Sequence, residues 1–147
     1  MNIEFTAAQY EKLIKMAFLG EWMINSFNLP DATNKDYGEL LSHILSSAPK
    51  EGLEKYVHVD PLSGQCSYSM QLFTDPEVME YIDTYKEECF WEELVIRMAE
   101  RDFVRKYNRT QIKKMSREEY IDNLSDLEDT YDDEFADHGL QNLEIKK

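Results

Sequence analysis

Two short patterns in this sequence pair a histidine with a carboxylate at a spacing that could support chemistry. His58 stands two residues before Asp60, and Glu134 stands four residues before His138, flanked by Asp133 and Asp137. A histidine oriented by a nearby carboxylate is the usual form of a general base. A carboxylate and an imidazole one helical turn apart can share a metal ion. Each pattern also has an ordinary reading. His58 and Asp60 fall in a segment of irregular character, and a helix as acidic as the one holding Glu134 produces such a pair by chance. A terminal histidine also suits the negative end of a helix. His43 falls on an amphipathic helix, where a histidine at the core edge is commonplace. No residue is therefore assigned a catalytic or metal-binding role, and no cofactor is expected. The run from Asp126 to Glu134 lacks the glycine and the alternation of a calcium loop. There is no phosphate loop, dinucleotide fingerprint, GxSxG elbow or HExxH motif.

Charge supplies a stronger signal. Arg97 to Arg117 holds eight of the sixteen cationic residues, against only Glu100 and Asp102. The next twenty residues, Glu118 to Asp137, hold ten acids and no Lys or Arg. Arg97, Arg101 and Arg105 recur every four residues and form a basic helical face able to grip a carboxylate or phosphate. Asp126, Asp129, Asp132, Asp133 and Glu134 form the core of an acidic surface. One expectation is that the basic segment is neutralised within the molecule, by the acidic helix or by acids elsewhere. The other is that the acids stay free to bind a protein partner with a basic surface. The formal net charge of −14 argues against direct binding of nucleic acid, whose phosphates call for cations, and against anionic membranes.

The elements that must position these residues follow from periodicity and caps. Asn2-Ile3-Glu4-Phe5 alternates like a short strand. Thr6 with Gln9 makes a capping box for a helix reaching about Asn28. Asp36 can cap a second helix, stopped near Pro49. The segment from Lys50 to Thr74 reads as a loop with short irregular pieces. Asp75-Pro76-Glu77 is a strong helix start. Its helix continues, with or without a break near Glu88, through Phe90-Trp91-Glu92-Glu93-Leu94 to about Tyr107. Glu93 and Arg97 are spaced for an ion pair. Ser116 to Glu119 is a second capping box. The helix after it carries Tyr120, Ile121, Leu124, Leu127, Tyr131 and Phe135, and Gly139 can end it. Leu143-Glu144-Ile145-Lys146 alternates again.

The expected fold is therefore mainly α: a single domain spanning residues 1–147, built as a compact bundle of four to five helices. The N- and C-terminal segments are candidates to pair as a two-stranded sheet. Cys66 and Cys89 are too few for a disulfide framework. With no basic, apolar leader and no membrane-length apolar run, the chain is expected in the cytosol.

The string Phe90-Trp91-Glu92-Glu93-Leu94 with Arg97, Ala99, Arg101 and Asp102, together with Leu19-Gly20-Glu21-Trp22, resembles a group of small bacterial proteins of unassigned function. The resemblance covers about twenty residues; it implies a bacterial or phage origin and no activity. Three function classes fit the sequence. The first is a non-catalytic interaction or regulatory protein with an acidic docking face. The second is an acidic nucleic-acid mimic that blocks a DNA- or RNA-binding protein. The third is a small metal-dependent or hydrolytic enzyme using His58 or His138.

Overall fold

A computed structural model describes residues 3–144. It is mainly α, 70% helical, with one two-stranded antiparallel sheet. The elements run α1 (Ala7–Asn25), α2 (Lys35–Leu45), two 3-10 turns (Ala48–Glu51 and Glu54–Tyr56), β1 (Val57–Val59) and β2 (Cys66–Tyr68). They continue with α3 (Met70–Phe73), α4 (Pro76–Lys106), α5 (Arg109–Lys114) and α6 (Arg117–His138). Among the described residues no helix is long and apolar enough to cross a membrane.

Local chemistry sets the helix ends. At α1 the Gln9 amide donates to Thr6 Oγ1 at 3.2 Å, and the Thr6 amide donates back to Gln9 Oε1 at 3.0 Å. Ser116 and Glu119 repeat the exchange at α6, at 3.1 and 2.8 Å. Each such cap contributes about 1 kcal/mol. Asp75 Oδ1 accepts the Glu77 and Val78 amides at the start of α4. α4 then runs without a break past Glu88. Asn108 both follows α4 and caps α5, accepting the Thr110 and Gln111 amides at 3.0 Å. At six residues, α5 is too short to show periodicity.

Two expectations are corrected. The cap of α2 is Asn34 rather than Asp36, and its side chain makes no capping bond; Asp36 lies in the first turn, where a negative charge suits the helix dipole. The sheet does not come from the termini. Ile3–Phe5 and Leu143–Glu144 form no strand, while Asn2, Ile145 and Lys146 lie outside the described residues. Instead Val57, His58 and Val59 pair with Tyr68, Ser67 and Cys66. Asp60 Oδ1 accepts the amides of Leu62 and Ser63 at 2.9 and 2.6 Å, and Gly64 takes φ +70°. This tight turn closes a hairpin at far lower entropic cost than joining the two chain ends.

The described residues divide into two units, with the boundary between Asp83 and Thr84, inside α4. The first unit buries Ile14, Phe18, Leu41, Leu45, Leu72, Val78 and Ile82 together. Phe18 meets the rings of Tyr68 and Phe73 edge-on, at 4.9 and 6.2 Å. The second unit is an antiparallel hairpin of the rest of α4 and α6. Phe103 lies 4.9 Å from Tyr120 near one end, and Trp91 lies 5.8 Å from Phe135 near the other. Val95, Ala99, Phe103 and Phe135 are its buried centre.

Candidate functional site

Charge pairing differs sharply from place to place, and that difference locates the site. In the first unit Lys15 is the one buried charged residue among those described, at 9% exposure. Its Nζ donates to Asp75 Oδ1 and Glu77 Oε2, both at 2.9 Å. Tyr56 donates to Glu11 Oε1 at 2.7 Å and to Asp75 Oδ2 at 3.0 Å. Lys55 lies 3.7 Å from Glu11, and Lys12 bonds Glu77. Three carboxylates, three ammonium groups and a phenol thus form one balanced network joining α1, the Tyr56 turn and the start of α4. Burial opposes the charge on Lys15, but the bonds from Glu77 and Asp75 outweigh it and raise its pKa. Burial likewise opposes ionisation of Asp75, and the Lys15 and Tyr56 bonds overcome it, leaving its carboxyl below the ordinary range. Every member is satisfied within the unit, so the network holds structure together. Sequence reasoning missed it, because only Glu11 and Lys15 show a helical spacing; Asp75 and Glu77 sit far along the chain.

In the second unit the basic face is also spent internally. Arg97 Nε pairs with Glu93 Oε2 at 2.8 Å. Arg101 holds Asp102 with two nitrogens, at 2.8 and 3.0 Å, and Arg105 reaches the same carboxylate at 3.1 Å. Tyr131 of α6 donates to Asp102 and accepts from Arg101 at 3.1 Å. Arg101, followed by Tyr131, holds the Asp102 carboxyl well below the usual range. The expected internal complement therefore exists, supplied by Glu93 and Asp102 of α4 with the Tyr131 hydroxyl rather than by the acids of α6.

Those acids divide among three places. Glu134 lies on the same flank of the hairpin as Arg101 and Arg105; together with Met98, Phe135 and the segment after Gly139 they line a groove of about 580 Å³. There Glu134 accepts from Asn142 at 2.6 Å and lies 3.5 Å from His138. Asp129 and Asp132 line a second groove, of about 430 Å³, with Glu128 of α6 and Glu88 and Glu92 of α4. Its floor is Trp91, Val95 and Ile96. Asp126 and Asp133 are exposed and line neither groove, as is Arg97. Among the described residues none of Asp126, Asp129, Asp132 and Asp133 has a cation within 4 Å, and neither do Glu88, Glu92 and Glu128. Glu88 and Glu92 were missed as site residues. Their spacing of four, on the side of the helix that holds Ile96, was the available signal.

His138 stands 3.5 Å from one carboxylate, Glu134, whereas among the described residues neither His58 nor His43 has a carboxylate within ion-pairing distance. His58 is exposed on β1, and Asp60 directs its carboxylate into its own turn, to Leu62 and Ser63. His43 is exposed on α2. Among the described residues no group of three or more His, Cys, Asp or Glu is arranged to hold a metal ion. No protein-family model, no curated protein and no solved structure matches the chain.

Proposed function

We propose that this chain is a non-catalytic interaction or regulatory protein whose acidic α6 surface docks a protein partner with a basic surface. The observation that carries this reading is the contrast in pairing. The arginines of α4 and the lysines around Tyr56 have carboxylate partners, whereas Asp126, Asp129, Asp132 and Asp133 have no cationic partner among the described residues. Unpaired like charges along one helix cost stability through self-repulsion, and a basic partner would relieve that cost. Complementary charge of this kind steers encounter and sets specificity.

Mimicry of a nucleic-acid backbone draws on the same unpaired carboxylates and is the second reading. A phosphate mimic needs only an array of charge. The apolar floor beside Asp129 and Asp132 favours a docking surface instead, since it offers contact area that a phosphate-binding groove would not use.

The test is a capture experiment at low and high salt. It compares the wild type with a variant carrying Asp126→Asn, Asp129→Asn, Asp132→Asn and Asp133→Asn. A basic protein partner held by the wild type, released by salt and lost by the variant is the expected result. A partner held equally by both chains would refute the acidic face as the interface. A captured DNA- or RNA-binding protein displaced by free nucleic acid would turn the conclusion to mimicry.

A further inference from the structure

We infer that the groove between α4 and α6 receives an amphipathic helix with an apolar stripe flanked by Lys or Arg. The inference rests on the docking reading above and narrows the partner from a basic surface to one shape.

The floor is the first argument. Trp91 and Ile96 are only half-buried, and Val95 lies between them. Water over such a floor is displaced favourably by aliphatic side chains. A disordered basic tail reading charge alone would leave that floor wet. Tyr85 and Cys89 precede Ile96 at helical spacing, on the same side of α4. Tyr85 is itself exposed, so the apolar strip extends beyond the groove.

The walls are the second argument. They are two antiparallel helices, so the groove runs along their axes, and side-chain ridges of a third helix can seat in it. From Glu88 to Ile96 α4 rises about 12 Å, which is about two turns of an opposing helix.

The charges are the third. Glu88 and Glu92 stand on one wall, and Glu128, Asp129 and Asp132 on the other. The steps of four between Glu88 and Glu92, and between Glu128 and Asp132, match the spacing of residues along one side of a helix. A partner helix with cations on both sides of its apolar stripe meets acids on both walls. This is helix-in-groove recognition with the polarity of the rims specified.

Two synthetic peptides of about 18 residues, a length chosen to form several helical turns, test it. One places leucines on a single helical face with lysines flanking them. The other has the same composition, shuffled so that no face forms. Each is titrated into the full chain carrying Trp22→Phe, which leaves Trp91 as the only tryptophan. The expected result is about tenfold tighter binding of the amphipathic peptide, with a blue shift of Trp91 emission. Ile96→Asp should weaken that binding about tenfold. So should the double reversal Glu92→Lys with Asp129→Lys, which changes only exposed positions and guards against a misfolded Ile96 variant. Equal binding of both peptides, with Trp91 unmoved, overturns the helix inference and leaves the acidic docking reading standing. Tight binding that neither variant weakens also overturns it. No binding of either basic peptide overturns both.

Discussion

The network around Lys15 and the flank of α6 are both rich in carboxylates, yet they are built on opposite terms. Around Lys15, each acid meets an ammonium group or a phenol within hydrogen-bonding or ion-pairing distance, and charge is balanced. Along α6, Asp126, Asp129, Asp132 and Asp133 face solvent with no cation in reach among the described residues. The difference teaches where to look for function in an acidic chain. Paired carboxylates are committed to the fold, and unpaired ones remain available to a partner.

That comparison breaks most visibly at Lys15. Replacing it, as Lys15→Met, leaves Asp75 largely covered, at 12% side-chain exposure, without its cation. Removing one member of a buried pair typically costs about 3 kcal/mol or more. Denaturant unfolding should show a loss of that size, and a loss under about 1 kcal/mol would mean that water already satisfies the site.

Acid should act next, and in the same direction. The carboxyls of Glu11, Asp75, Glu77 and Asp102 all titrate lower in the folded chain than ordinary carboxyls. The stability they contribute is complete above the unfolded values, near about pH 4. It is lost as pH falls through the lower folded values. Melting temperature should therefore drop steeply below about pH 4. The drop should be shallower in Lys15→Met by the share that Asp75 carries, since Lys12 still holds Glu77 and Arg101 still holds Asp102.

Tyr131→Phe sharpens the comparison within the second unit. It removes the hydroxyl that links Asp102 and Arg101 of α4 to α6. Leaving the arginine–carboxylate pair in place limits the loss to about 1 kcal/mol, measurable by chemical denaturation.

The smallest effect is expected on the free flank. Asp129→Asn with Asp132→Asn should change stability by no more than about 0.5 kcal/mol, and any change should be a gain, since repulsion falls. A clear loss of stability would show that these acids have partners within the fold.

Much of this architecture could be read from the sequence where local chemistry decides it. The Thr6–Gln9 and Ser116–Glu119 capping boxes, the Asp75-Pro76 start and the Glu93–Arg97 pair all depend on residues within four positions of each other. The hairpin is not legible: its strands are three residues each, too short to show alternation, and the segment from Lys50 to Thr74 reads as a loop with short irregular pieces. What else was not legible depends on long-range placement. Nothing near Lys15 announces Asp75. A count of acids along α6 does not say that Glu134 falls on the arginine flank while Asp129 and Asp132 fall beside Glu88 and Glu92. The candidate site was therefore visible as a charge run but not as a groove, because its apolar floor belongs to another helix.

The boundary between the units falls inside α4, and this has a consequence for handling the chain. Cutting at Asp83 would sever a continuous helix and strip amides and carbonyls of their intrahelical partners on both sides. A protease that requires extended backbone should find no preferred cleavage site there. Val78 and Ile82 serve one core while Val95 and Phe103 serve the other. A helix-breaking substitution such as Thr84→Pro should therefore open a new cleavage site, and it would reveal whether either half survives alone.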